Sequence, residues 1–378
     1  MIPWAVVHRA AVIHAWHRDV LHVIPVSVMA CHGIVCSERW SIRWCGVLEQ
    51  LLPPLITTSP TGTAVANAGV LGQASTSTLV GGRYRSEMTS GGRAQLGIWM
   101  DEAHCNSVLL RFWASGRESM NFFADQTDGA FVAVPFNNAA DNATPTALLV
   151  VEPQQAQGSI NIQTRSELYG GDALLRRLCR TGLGGRVDAF WGYQTARINE
   201  DLTIAIDTVG LDGGNREGQR LQINDIFDAK NEFHGGTFGY EGFYREGCWS
   251  WHLLTKLGLG SMQRTATIRG TTTRTSGGIS AIDDQGFFAR DTNIGVHSSS
   301  EFSVAPEINL TLGYIHRPGM DFTFGYNYQL YTNAIQPAQL IDTTTTDLND
   351  PAITRPRVIL RDKDYYVHSL NFGFNWHY

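Results

Sequence analysis

Charge is scarce in this sequence. Only 17 % of its 378 residues are Asp, Glu, Lys or Arg, and the net charge is −6. A chain with no basic excess gives no electrostatic reason to expect nucleic acid. Long apolar runs are also missing. The best, Val20 to Cys31, is broken by His22, Pro25 and Ser27, and falls short of the ~18 apolar residues a membrane-crossing helix needs. A chain of this kind can enter a bilayer only as a closed barrel, which pairs every backbone N–H and C=O without water. Cys31, Cys36, Cys45, Cys105, Cys179 and Cys248 form no C-x-x-C pair and no zinc spacing, so scattered thiols are expected instead of a disulfide framework. A clean signal-peptide core is absent as well, because Arg9, His14, His17, Arg18 and Asp19 interrupt the N-terminus.

What is present is glycine, small polar residues and aromatics. The 39 glycines follow no G-x-y period, and this composition suits strands and turns better than helices. The clearest pattern lies at the C-terminus. Tyr366, His368, Leu370, Phe372, Phe374, Trp376 and Tyr378 alternate with Val367, Ser369, Asn371, Gly373, Asn375 and His377. Successive strand side chains point to opposite faces, so one face is apolar and the other small or polar. Met320–Leu330 repeats the pattern, with Phe322, Phe324, Tyr326 and Tyr328 against Asp321, Thr323, Gly325 and Asn327. Phe302–Tyr314 does so again, with Ile308, Leu310 and Leu312 against Ser303, Glu307, Asn309 and Thr311. Pro306 removes one ladder hydrogen bond there and predicts a bulge or a frayed pairing. Weaker alternations occur around Trp249–Gly260, Val187–Gln194 and Phe238–Glu241.

Short and long connections take turns. Tight turns are expected near 101–106, 181–184, 246–247 and 317–319. Long polar loops are expected near 53–91, 124–157, 209–230, 271–298 and 333–363. The implied fold is all-β: a single antiparallel transmembrane β-barrel of about ten strands, with short periplasmic turns and long extracellular loops. Nine strands fall after Gly92, and Trp40–Leu51 supplies the tenth. Residues 39–378 form the barrel; residues 1–38 are a poorly specified extension, read as a mis-assigned start.

A soluble β-sandwich also alternates, but its polar face carries Lys, Glu and Arg. Here that face is mostly Gly, Ser, Thr and Asn, which suits a narrow hydrated interior. The three best apolar registers hold no charge, in keeping with the ~2–4 kcal/mol cost of Arg or Lys at the lipid midplane. Phe302, Ile308, Leu310, Leu312, Phe322, Phe324, Leu370, Phe372, Phe374, Trp376 and Tyr378 are therefore assigned to lipid. Glu241, His252, Lys256, Ser303, Glu307, Asn309, Thr311, Asp321 and Asn327 are assigned to the lumen.

Several separated segments carry a family resemblance: LPPLITTSP (52–60), AGVLGQ (68–73), SGGR (90–93), NEFHGG (231–236), TNIG (292–295) and NFGF (371–374). On these the chain resembles the putative beta-barrel porin family, type seven, of bacterial outer-membrane proteins. The resemblance implies an outer-membrane barrel and brings no catalytic residue with it.

Function is read accordingly as a porin-like structural barrel or small-solute pore in the bacterial outer membrane. The lipid bilayer and the outer-membrane assembly machinery, engaged through the last strand, are its expected partners, with small solutes possible. No cofactor, metal or catalytic residue is expected. Alternatives are a barrel presenting its loops for adhesion or recognition, and a rim hydrolase using Asp225, Asp228, Glu232 and His234. His14 and His17 could ligate a metal only on a helix, with no third ligand in sight.

Overall fold

The computed structural model describes residues 40–46, 49–85, 89–125, 129–214, 216–317, 320–351 and 354–376. The N-terminal extension with His14 and His17, and Tyr378, lie outside the described residues, as do the side chains of Phe374 and Trp376. Among the described residues there are seventeen strands: β1 (Trp40–Gly46), β2 (Glu49–Ser59), β3 (Ser77–Arg85), β4 (Thr89–Trp99), β5 (Asn106–Ser115), β6 (Glu118–Asp125), β7 (Phe131–Asn138), β8 (Thr144–Val151), β9 (Ala156–Gly182), β10 (Gly185–Gly210), β11 (Gln219–Glu246), β12 (Trp249–Ser276), β13 (Ile279–Asp283), β14 (Gly295–Arg317), β15 (Met320–Ala334), β16 (Thr344–Thr345) and β17 (Lys363–Trp376). One short helix, α1 (Pro337–Leu340), precedes β16.

The larger sheet runs in the order β10-β11-β12-β14-β15-β17-β1-β4-β5-β9-β6, and β9 pairs with β10 as well. The hydrogen-bonded path from β10 round to β9 therefore returns on itself. β5 and β6 pair with successive stretches of β9, at 169–177 and 159–166. β1 lies between β17 and β4, although it ends at Gly46, short of the expected Leu51. At Pro306 the register with β12 is unbroken, whereas pairing with β15 begins only at Glu307. The missing N–H thus coincides with the end of one ladder, and the Thr332 hydroxyl accepts from the Val304 N–H at 2.9 Å just beyond it.

β11 and β12 each have 28 residues, far more than the ~9–11 that cross a bilayer. Their patterning inverts partway along. Near the short turns the outer face carries exposed Phe238, Tyr240, Trp249, Trp251, Leu253 and Leu259, while Thr237, Glu241 and Lys256 are buried inside. Farther along, the outer face reads Asp228, Lys230 and Glu232 on β11, and Gln263, Thr265 and Arg269 on β12. The inner face there buries Ile223, Phe227, Phe233, Met262, Ala266 and Ile268. One half is arranged for a solvent of hydrocarbon, the other for water.

The segments expected as long polar loops are largely structured, and the strand count exceeds ten for that reason. Within 53–91 and 124–157 lie most of β2, together with β3, β7 and β8; with β16 these form a second, five-stranded sheet. Most of 209–230 belongs to β10 and β11, while 271–298 supplies the end of β12, all of β13 and the start of β14. Between β13 and β14 the chain turns inward and buries Phe287, Phe288 and Ala289 completely. The physical cause is one apolar cluster. Leu55, Ile56, Val134, Phe136 and Val150 of the second sheet pack with Ile162, Leu202, Ile204 and Phe227 of the long strands, and with Phe287, Ile335 and Leu340 of the connections.

Candidate functional site

Inward-facing side chains fill the interior in layers. On β5, alternation turns Leu109, Arg111 and Trp113 inward, all buried. The Arg111 guanidinium donates through Nε to Asp172 of β9 at 2.8 Å and through Nη2 to the same carboxylate. Lys256 of β12 sits 2.9 Å from Asp172 and 2.6 Å from Glu307 of β14. Glu307 also takes Arg111 at 3.4 Å and pairs with Arg93 of β4. The Lys256 ammonium lies 5.0 Å from the centroid of the Trp113 ring. Three cations and two acids from five strands therefore meet at one level. A charge so buried is tolerable only because each has a close opposite partner.

Beside this layer lies a second apolar cluster that includes Trp113, Leu168, Ile198, Phe233, Met262 and Tyr331. Toward the short turns the interior instead opens into a cavity of ≈ 230 Å³. Arg176 donates to Glu241 at 3.0 Å, His252 meets the other Glu241 oxygen at 2.7 Å, and Arg186 donates to Asp188 at 2.7 Å.

Of the residues assigned to the lumen, Glu241, Lys256, Ser303, Glu307, Asn309 and Asn327 are buried. His252, Thr311 and Asp321 are half-buried, and Thr311 donates to Asn309 at 3.1 Å. Of those assigned to lipid, Phe302, Ile308, Leu310, Phe322, Phe324 and Phe372 are exposed; Leu312 and Leu370 are half-buried. Phe374 and Trp376 pair in register with Phe322 and Met320. Arg93, Arg111 and Asp172 are not among the residues that the sequence pattern assigns to the lumen. The signal was present, since Arg111 shares the parity of Ser107 and Trp113, but their strands are the ones with weak patterns.

The rim acids are not brought together. Asp228 pairs with Arg269 at 2.6 Å, Glu232 with Lys230 at 2.9 Å, and His234 with the Tyr193 hydroxyl at 2.8 Å, all on the outer face. Asp225 points the other way and is fully buried. Its carboxylate accepts the N–H groups of Phe287, Phe288 and Ala289 at 3.0, 3.2 and 2.9 Å. Burial pushes its carboxyl up to about 6, against those N–H groups and Arg290, which pull it down. Gly286 is required beside it, because a Cβ there would stand 1.9 Å from Asp225 Oδ1. Asp225 thus fastens the buried Phe287–Ala289 segment.

An antiparallel path that returns on itself, an apolar aromatic band outside and polar side chains within define a β-barrel of the outer-membrane class. The sequence agrees: residues 42–378 match the family described as Putative beta barrel porin-7 (BBP7), and the chain belongs to that family. Among solved structures the chain is similar to the outer membrane protease OmpT from Escherichia coli, at 10 % identity and a TM-score of 0.41, over 89 % of this chain and 97 % of that one. No curated protein matches the sequence.

Proposed function

We propose that the ten strands on the returning path form one closed barrel in the bacterial outer membrane. The short turns face the periplasm, and the water-adapted half of the strands stands outside the cell. The last strand, β17, is the part presented to the assembly machinery. In this reading the barrel is sealed, and it serves as a structural element that holds its outer half up for recognition. It is neither an open solute path nor an enzyme.

The observation that carries this is the filled cross-section: the Lys256–Glu307–Arg111–Asp172 cluster, with an apolar cluster beside it and the second sheet's core beyond. Strand number supports it. Eight-stranded barrels are just filled by side chains, while open porins have 16–18 strands. Against catalysis stands the placement of Asp225 on the opposite face from Asp228, Glu232 and His234. Passage of small solutes would require the buried ion pairs to part.

Planar-bilayer recording tests the reading. Purified, heat-modifiable protein is expected to give no unitary conductance steps in 1 M KCl. Regular steps from the wild-type protein would overturn the sealed state.

A further inference from the structure

The cavity at the short-turn end is used by nothing described so far. Its lining sets two guanidinium groups, Arg176 and Arg186, against two carboxylates, Asp188 and Glu241, with the His252 ring also on Glu241. Both guanidinium groups lie over one face-bearing aromatic, Trp99, at 4.7 and 4.8 Å from its centroid. Leu109 and Phe243 complete an apolar wall.

The balance leaves particular groups unengaged. Asp188 is 3 % exposed, and one of its oxygens, Oδ2, accepts from Arg186. The other, Oδ1, is buried with no partner among the described residues. A buried acceptor left without a donor costs ~1–3 kcal/mol, and more when charged. On the cationic side, Arg176 donates through Nε to Ser107 and through Nη1 to Glu241. Arg186 donates through Nε and Nη2. The N–H groups of Arg176 Nη2 and Arg186 Nη1 make no hydrogen bond among the described residues.

We infer that this cavity binds a small zwitterion with an apolar body, of the class of free aliphatic α-amino acids. The ligand's ammonium would satisfy Asp188 Oδ1, and its carboxylate the spare guanidinium N–H groups. Its side chain would rest against Trp99, Leu109 and Phe243. A zwitterion adds no net charge to the cavity, whereas a simple cation or anion would bring an uncompensated charge into it. Size agrees: at ~30 Å³ per water-sized group, the ≈ 230 Å³ cavity accommodates a small amino acid. The inference does not depend on whether the barrel conducts; it rests on the proposed orientation only for the ligand entering from the periplasm.

The test is titration calorimetry on the full chain in detergent with three probes: L-leucine, 4-methylpentanoic acid, which lacks the ammonium, and 3-methylbutylamine, which lacks the carboxylate. Leucine is expected to bind saturably, and each analogue about tenfold more weakly or worse, since each loses a charge-assisted hydrogen bond. Asp188→Asn should reduce leucine to the level of the acid analogue. Gly97→Leu blocks the cavity without touching its charges, because a Cβ at Gly97 meets only Leu109 Cδ1 at 3.4 Å and Val108 O at 3.8 Å. It should abolish leucine binding while leaving the folded, heat-modifiable band on a cold gel. No leucine binding to wild type, equal binding of all three probes, or unchanged leucine binding to Gly97→Leu would each overturn the assignment.

Discussion

Replacing Glu307 by Gln puts the buried charge cluster to a quantitative test. Glu307 is one of two acids facing Arg93, Arg111 and Lys256, with Lys256 Nζ 2.6 Å away and both side chains at most 1 % exposed. The substitution preserves shape and leaves three cations sharing Asp172 alone. Removing one partner of a buried pair costs ~3–5 kcal/mol, a large part of the ~5–15 kcal/mol that holds a typical domain together. Lys256→Met leaves two cations against two acids, and should cost less. The double variant Glu307→Gln/Lys256→Met returns the cluster to its original excess of one positive charge. Its cost should therefore fall below the sum of the single costs by roughly 0.5–3 kcal/mol. Urea unfolding in lipid vesicles, followed by tryptophan fluorescence, measures all three. Single costs that add within ~0.5 kcal/mol would refute the coupling.

Three further outcomes follow from the same geometry. Phe287→Ala empties a fully buried ring site that meets Phe136 edge-on at 4.9 Å; it should cost about 3–5 kcal/mol, read as protease cleavage of the 284–294 segment while the membrane half stays intact. Asp225 has a folded value of about 6 above its ordinary 3.8, so its contribution is complete below pH ~3.8 and is lost as pH rises through 6. The outer half should weaken by up to roughly 3 kcal/mol over that window, and Asp225→Asn should flatten the dependence; parallel pH profiles for the two proteins would dismiss it. Leu310→Arg places a charge on the outer apolar band and should cost ~2–4 kcal/mol. The same residue introduced at Thr265, on the outer face of the water-adapted half, should change stability by less than ~0.5 kcal/mol, both read by urea midpoints.

The sequence makes the membrane half legible because lipid and lumen impose opposite demands on alternate residues. At Phe302–Tyr314 and Met320–Leu330 no other period fits, and side-chain parity follows directly. The outer half is harder to read because its strands are patterned for the reverse environment. Ile198, Leu202 and Ile204 sit on the inner face, where the lower half of the same strand carries Asp188 and Gln194. A reader tracking one apolar face finds that it vanishes after Gln194. The second sheet is obscured further by Pro53, Pro54 and Pro135, residues that argue against strands unless the strand is short or irregular. Indeed the β2–β3 register shifts between Leu52 and Ile56. The ion cluster was half visible. Glu307 stands in a strong alternation and Lys256 in a weaker one, but their partners Arg111 and Asp172 lie in strands where glycine and charge blur the period. What no one-dimensional pattern gives is that these five charges share a level, because that depends on register across five strands.

The central claim is that each long strand crosses lipid with one half and water with the other. Bimane attached to single cysteines along the outer face of β11, in a cysteine-free background, measures this directly when the lipid tails carry bromine. Labels at Phe238 and Tyr240 should be strongly quenched, and labels at Asp228 and Lys230 should not be. Equal quenching at all four positions, or at none, would contradict the account.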